Sequence, residues 1–301
     1  MDEKRSIFTW HMRRSGGHAI KFWILSHFED PNHPLFDLEY LWKLRLANRS
    51  TNRKDREQWR KLSTKSVEYD NTAYFHNFHR FRFRSFNSMI KGIDKPNLFF
   101  SFEDSDFLNF LGYFYPRLSN TQYADFTNII LLRDPFNMFA SRIELLKLMP
   151  SLVGREDYHP FGNPRWFGKW IRLLWFKYAD EFRGITNLLP NKIAISYNKW
   201  FSDESYRRGL SEKIGRPFTD VFKDKVFPYG LGSSFDKGKY RHRASQMKVF
   251  ERWRNLSDDD LYLSLFDEDV IRISEQIFGH IPGTEEIIEK ALQRKGKVYN
   301  C

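Results

Sequence analysis

With 301 residues, 41% of them hydrophobic and 18% aromatic, the chain has apolar material for one sizeable core, and no apolar run approaches the roughly 18 residues of a membrane span. Its 49 Lys and Arg against 38 Asp and Glu leave a net charge of +11, which favours anionic partners without separating nucleotides from nucleic acids or acidic glycans. The single cysteine is Cys301, which argues against a disulfide framework and a cysteine zinc site, and no signal-peptide pattern precedes the first apolar run, so a cytoplasmic location is expected.

Ile7–Trp10 reads as a short strand. The chain then passes through Arg14-Ser15-Gly16-Gly17-His18-Ala19 and restarts with helical spacing. A strand, a glycine turn and a helix start aim the backbone N–H groups of Ser15–Ala19 at one point, which the helix dipole makes electropositive. Arg14 can fork its guanidinium onto the same anion. The same residues also describe an ordinary strand-turn-helix capped by Ser15.

Leu41–Lys65 is dense in basic residues and reads as a solvated helical face or an insertion. Tyr74–Phe86 interleaves aromatic and basic residues, as packed aromatics with a basic outer face or as a stacking platform for nucleic acid. His76 and His79 are three apart but lack a further ligand at metal spacing. Asn97–Phe102 is a second strand ending in Glu103-Asp104, a carboxylate pair suited to capping, to an arginine or to proton transfer. Asn128–Leu132 is a third, followed by Arg133-Asp134-Pro135; Asp134 suits an N-cap and Pro135 the first helical turn, which carries Ser141 about two turns along. A strand-end arginine and a helix-borne hydroxyl at one pocket suit a phosphate. Tyr158–Arg183, with Trp166, Trp170 and Trp175, reads as a long aromatic helix serving as core or as an acceptor-site lid. Lys192–Tyr197 is a fourth strand. The alternation predicts a mainly parallel sheet with helices on both faces and ligands at the strands' carboxyl ends.

Arg14-Ser15-Gly16-Gly17-His18, followed by Arg133 with Ser141 eight residues later, resembles the nucleotide motifs of the sulfotransferases that use 3′-phosphoadenosine 5′-phosphosulfate (PAPS). In that family the first motif cradles the 5′-phosphosulfate and the second holds the 3′-phosphate; Arg14 stands where many members carry Lys. Ile195–Phe201, Gly232–Phe235 and Phe250–Leu256 are similar to the carboxyl half of bacterial sulfotransferase-like proteins, whereas Phe36–Asn87 and Met149–Trp175 find no counterpart.

The resemblance implies one domain over 1–301 with a three-layer, P-loop nucleotide-hydrolase-like α/β fold and helical or aromatic insertions around 36–90 and 149–183. It implies PAPS as sulfuryl donor, no required metal, and a hydroxyl or amine acceptor on a small molecule or saccharide. Arg14, Ser15, Gly16, Gly17, His18, Ala19, Arg133 and Ser141 would bind the donor. A basic glycine loop that closes on the 3′-phosphate in the family matches Asp236–Arg243, with Lys237 and Arg241 as candidates. The family places its His or Glu base between the two motifs, which points to Glu103; His18 and His11 compete, and Arg14 would stabilise leaving-group charge. A nucleotide kinase would need Gly-x-x-x-x-Gly-Lys-Ser/Thr, whereas His18 follows Gly17 here. A non-enzymatic basic nucleic-acid-binding protein is the remaining alternative, although no specific nucleic-acid partner is expected.

Overall fold

The computed structural model describes residues 4–38, 41, 66–76, 90, 92–108, 110–148, 164–228 and 239–298. Within them one sheet is formed by β1 (Arg5–His11), β2 (Ser66–Glu68), β3 (Thr72–His76), β4 (Asn97–Glu103), β5 (Asp125–Leu132) and β6 (Lys192–Ser196), in the order β2-β3-β4-β1-β5-β6. β2 pairs antiparallel with β3, and every other pair is parallel. β1 lies at the centre because β4 and β5 dock on its two sides. Their carboxyl ends therefore converge on the loop that leaves β1, the place where parallel sheets gather ligands.

The sheet is covered on both faces, as the expected three-layer arrangement requires. Every residue of β4 is buried, which explains why Asn-Leu-Phe-Phe-Ser-Phe-Glu reads as a near-continuous apolar run rather than an alternating one. One face carries Phe8, Trp10, Phe100 and Phe102 against α2 (Pro135–Leu148), α3 (Pro164–Arg183) and the carboxyl-terminal helices. The other carries Ile7, Phe99, Ile129 and Leu131 against α1 (Gly17–Leu25), α4 (Tyr197–Ser202) and α5 (Glu204–Ile214).

Aromatic side chains line the first face in register. Phe75, Phe100 and Phe8 stand opposite one another on β3, β4 and β1, with ring centroids 5.0 and 4.9 Å apart. Trp10 stacks on Phe102 at 4.3 Å, and its indole N–H donates to Asn128 Oδ1 at 2.9 Å. The Asn128 amide in turn donates to the Pro190 carbonyl at 2.7 Å. A buried indole donor is costly without such a partner.

The four expected strands are present. The span around 36–90 adds β2, at one edge of the sheet, and β3 beside it, and Tyr74 and Phe75 are buried, in keeping with packed aromatics. Residues 42–65 and 77–89 lie outside the described residues, so the basic segment and the rest of the aromatic run do too. The three tryptophans of α3 divide: Trp175 is fully buried, Trp170 half-buried and Trp166 57% exposed. No helix among the described residues is long and apolar enough to cross a membrane.

Replacing Asn128 with Leu keeps the volume but leaves the Trp10 N–H and the Pro190 carbonyl without partners. We expect a loss of about 2–3 kcal/mol in the unfolding free energy, measured by equilibrium urea denaturation.

Candidate functional site

The loop between β1 and α1 is shaped by two left-handed residues, Arg14 at φ 69° and Gly16 at φ 89°. Such a backbone is uncommon away from glycine and costs Arg14 about 1 kcal/mol. The turn is closed by Ser15, whose N–H and hydroxyl both donate to the Met12 carbonyl, at 3.2 and 2.6 Å. Ser15 therefore does not cap α1. The N-cap is Gly16, with no side-chain hydrogen bond, and the first turn of α1 carries no acidic residue. The positive end of the helix dipole is thus left to attract an anion, as the sequence implied.

Both glycines are required by close approach. A Cβ on Gly16 would lie 2.0 Å from the Tyr197 ring, and one on Gly17 would lie 2.4 Å from the His11 ring. Tyr197, at the start of α4, is thereby pressed against the loop. The Arg133 guanidinium carbon sits 4.8 Å from the centre of the same ring, a cation–π arrangement.

Arg133, at the end of β5, is 1% exposed. Its Nη1 donates to the Arg14 carbonyl at 3.1 Å, its Nη2 donates to the Val249 carbonyl, and its own carbonyl accepts from the Trp175 indole at 3.2 Å. Its Nε is buried with no hydrogen-bond partner, and no carboxylate among the described residues pairs with it. The following residues fix the helix as expected: Asp134 Oδ1 accepts from the Asn137 N–H at 2.8 Å, and Asp134 Oδ2 accepts from the Asn198 amide at 2.9 Å. Ser141 is fully buried on α2 and accepts from Arg252 Nη1 at 2.8 Å, while the Arg252 N–H donates to Asn137 Oδ1 at 2.9 Å. The segment from Val249 to Arg252 therefore bridges Arg133 and Ser141.

A carboxylate cluster lies on the other side of β1. Asp104, left-handed at φ 53°, receives the Arg13 N–H at 3.0 Å and the Arg142 guanidinium at 2.7 Å. Glu103 lies 3.4 Å from Arg13 Nε and 4.0 Å from His18 Nδ1. Its side chain is 10% exposed and that of His18 27% exposed, so the pair sits at the edge of solvent. Beneath them Lys21 Nζ donates to the Ser101 hydroxyl at 3.0 Å, and His11 Nε2 lies 3.2 Å from the same oxygen. Burial, reinforced by the Lys21 charge, pulls the His11 imidazole down to about 4, and burial pulls the Lys21 ammonium down to about 8 against the attraction of Glu103.

The structure thus brings Arg14, Ser15, Gly16 and Gly17 into one loop with Arg133, and sets His18 beside Glu103. His11 is 1% exposed, both its ring nitrogens have partners, and burial depresses its basicity. Ala19 lies in the first turn of α1. Arg241 is half-buried, and its carbonyl accepts from the Val226 N–H at 2.8 Å. Lys237 lies outside the described residues. Arg13, Lys21, Arg142, Tyr197 and Arg252 belong to the same constellation and were not singled out by spacing. For Lys21 a signal did exist: a lysine one turn into an otherwise apolar helix face must be buried.

An unfolded His11 takes up its proton near pH 6.5, while the folded one resists until about 4. Stability contributed by neutral His11 is therefore present above pH 6.5 and falls away as pH drops toward 4, by on the order of 3 kcal/mol. Urea midpoints measured across this range should fall less steeply in a His11→Gln variant than in the parent.

No family model matches the chain, and no curated protein does. Among solved structures it is similar to the sulfotransferase domain of the curacin biosynthetic pathway, with 14% identity over 94% of this chain and 100% of the other at a TM-score of 0.49. The sulfotransferase domain of the Synechococcus PCC 7002 olefin synthase gives 11% identity over 94% and 98%, at a TM-score of 0.47. Retinol dehydratase in complex with androsterone and the inactive cofactor PAP gives 11% identity over 90% of this chain and 78% of that one, at a TM-score of 0.37.

Proposed function

We propose that this protein is a sulfotransferase that takes the sulfuryl group of PAPS to a hydroxyl or amine of an acceptor, a small molecule or saccharide. The observation that carries the reading is the burial of the Arg133 guanidinium with no carboxylate partner among the described residues and with an unpartnered Nε. A buried charge neutralised only by carbonyl dipoles and a ring face is expensive. An anion at the carboxyl end of β5 relieves that cost, and a phosphate matches the guanidinium fork.

The residues present fit such a nucleotide. Ser141 and Arg252 supply a hydroxyl and a second guanidinium beside Arg133 for the 3′-phosphate, whose oxygens would replace the Val249 carbonyl at Arg133 Nη2. The uncapped start of α1 and the Arg14 side chain suit the 5′-phosphosulfate, with Gly16 and Gly17 allowing close approach. PAPS supplies an activated sulfuryl group and a leaving bisphosphate. Glu103 accepts the proton of the attacking hydroxyl or amine, and His18, 4.0 Å away, lies beside it on the solvent side. Arg14 and the backbone N–H groups at the helix start stabilise charge on the leaving oxygen.

Calorimetric titration with adenosine 3′,5′-bisphosphate tests the site. We expect binding that weakens about 100-fold in Arg133→Ala, equivalent to about 2.7 kcal/mol, and about 10-fold in the milder Ser141→Ala. No binding by the parent, or equal binding by both variants, overturns the nucleotide site. Glu103→Gln should retain bisphosphate affinity and lose at least 100-fold in sulfuryl transfer from PAPS. Unchanged turnover removes Glu103 as the base.

A further inference from the structure

The register of β1 and β4 stacks three pairs on the α1 side of the sheet: Ile7 with Phe99, Thr9 with Ser101, and His11 with Glu103. Residues two apart on a strand face the same way, so this face changes from apolar to hydroxyl to ionisable toward the strands' carboxyl ends. Lys21 reaches into the column from α1. It is 1% exposed and donates to Ser101 Oγ at 3.0 Å.

An ammonium only donates, so the Ser101 hydroxyl hydrogen is released to His11 Nε2, 3.2 Å away. That fixes the hydrogen of neutral His11 on Nδ1, which faces the Met12 carbonyl at 3.3 Å. The same carbonyl closes the Ser15 turn. One buried charge therefore orients a chain of groups running from α1 to the glycine loop, and because Lys21 Nζ rests on Ser101, two residues before Glu103 on the same face of β4, Glu103 is the carboxylate whose attraction raises the Lys21 ammonium's proton affinity.

We propose that Lys21 is a positioning residue for proton transfer: anchored by Ser101, its buried ammonium holds Glu103 as the carboxylate, ready to accept a proton. This rests on the sulfotransferase reading for the use of that proton, but the charge coupling itself does not depend on it. The other titratable groups around Glu103 are Arg13 in the loop, His18 on α1, His11 in register with it on β1, and Asp104 beside it; Tyr178 on α3 donates to the Ser105 carbonyl at 3.2 Å, and on β3 the register neighbour of Ser101 is His76. Arg13 divides its charge between Glu103 and Asp104, with Nε 3.4 Å from the first and 3.6 Å from the second. Lys21 adds a second positive charge beneath the carboxylate.

The test is an NMR titration of carboxyl-labelled glutamate in the ligand-free protein, with the Glu103 signal assigned by its loss in Glu103→Gln. In Lys21→Met we expect the Glu103 midpoint to rise by one pH unit or more, a tenfold or greater gain in proton affinity. An unmoved midpoint overturns the proposal. Should Lys21→Met fail to fold, Ser101→Ala keeps the charge but loosens its anchor and should shift the Glu103 midpoint in the same direction by a smaller amount. The reciprocal measurement uses Cε-labelled lysine: Glu103→Gln should lower the Lys21 midpoint, and an unchanged Lys21 midpoint overturns the coupling. These titrations need no substrate, so a failed bisphosphate titration would sink the sulfotransferase reading while leaving this result standing. If the parent transfers sulfuryl groups, the acidic limb of its kcat/KM profile should move to higher pH in Lys21→Met. A loss of rate uniform across pH assigns Lys21 a purely structural role.

Discussion

A positive charge sealed into the end of a parallel sheet sets the terms for everything around it. Arg133 leaves water at the end of β5, and the chain answers with neutral dipoles: the carbonyls of Arg14 and Val249 and the face of Tyr197. Each partner comes from a different part of the sequence, so satisfying one guanidinium draws together the β1 loop, the start of α4 and the segment before Arg252. The Arg14 carbonyl reaches its place through a left-handed backbone that a non-glycine residue adopts only at a cost. The strain and the buried charge are two sides of one arrangement, in which the loop is held in shape before any anion arrives.

The opposite wall works by another logic. Glu103 and Asp104 are adjacent carboxylates at a strand end, and self-repulsion is relieved by cations from three directions: Arg13 from the loop, Arg142 from α2 and Lys21 from α1. Asp104 is bonded to the Arg13 N–H and the Arg142 guanidinium, whereas Glu103 lies by Arg13 Nε and the partly exposed His18. Two neighbouring residues of the same chemistry thus take different partners, a division set by which cation each one meets.

The readable parts of the sequence were those in which one physical demand dominates. Parallel strands covered on both faces are apolar throughout, so β1, β4, β5 and β6 stood out as runs; the short strands β2 and β3 carry polar residues such as Glu68 and Thr72 and did not. Asp134-Pro135 announced a helix start because capping is local chemistry. Ser15 looked like a cap by the same reasoning, yet its hydroxyl turned back to Met12, since the glycine that follows takes the N-cap position. Trp166 and Trp175 are nine residues apart, half a turn out of phase on one helix, so the first faces outward and the second is buried; which of the two faces meets the sheet is set by the fold. Among the arginines, spacing brought out Arg14 and Arg133 but not Arg13, Arg142 or Arg252, whose partners lie some 40 to 110 residues away in sequence. Pairings of that range are decided by the fold and leave no local trace.

The central position of β1 bears on how the molecule is made. Among the described residues β1 pairs with residues 97–103 and 125–131, both of which follow it by some 90 residues or more. Until the first of these has emerged, a strand carrying Ile7, Phe8 and Trp10 waits with both edges open, and one edge stays open until the second arrives. Parallel pairing over such separations is slow and leaves strand edges exposed to other chains. The basic residues at the two ends of β1, Lys4 and Arg5 at the start and Arg13 and Arg14 beyond the finish, then act as gatekeepers during the wait, their mutual repulsion keeping nascent copies of the same segment from joining edge to edge.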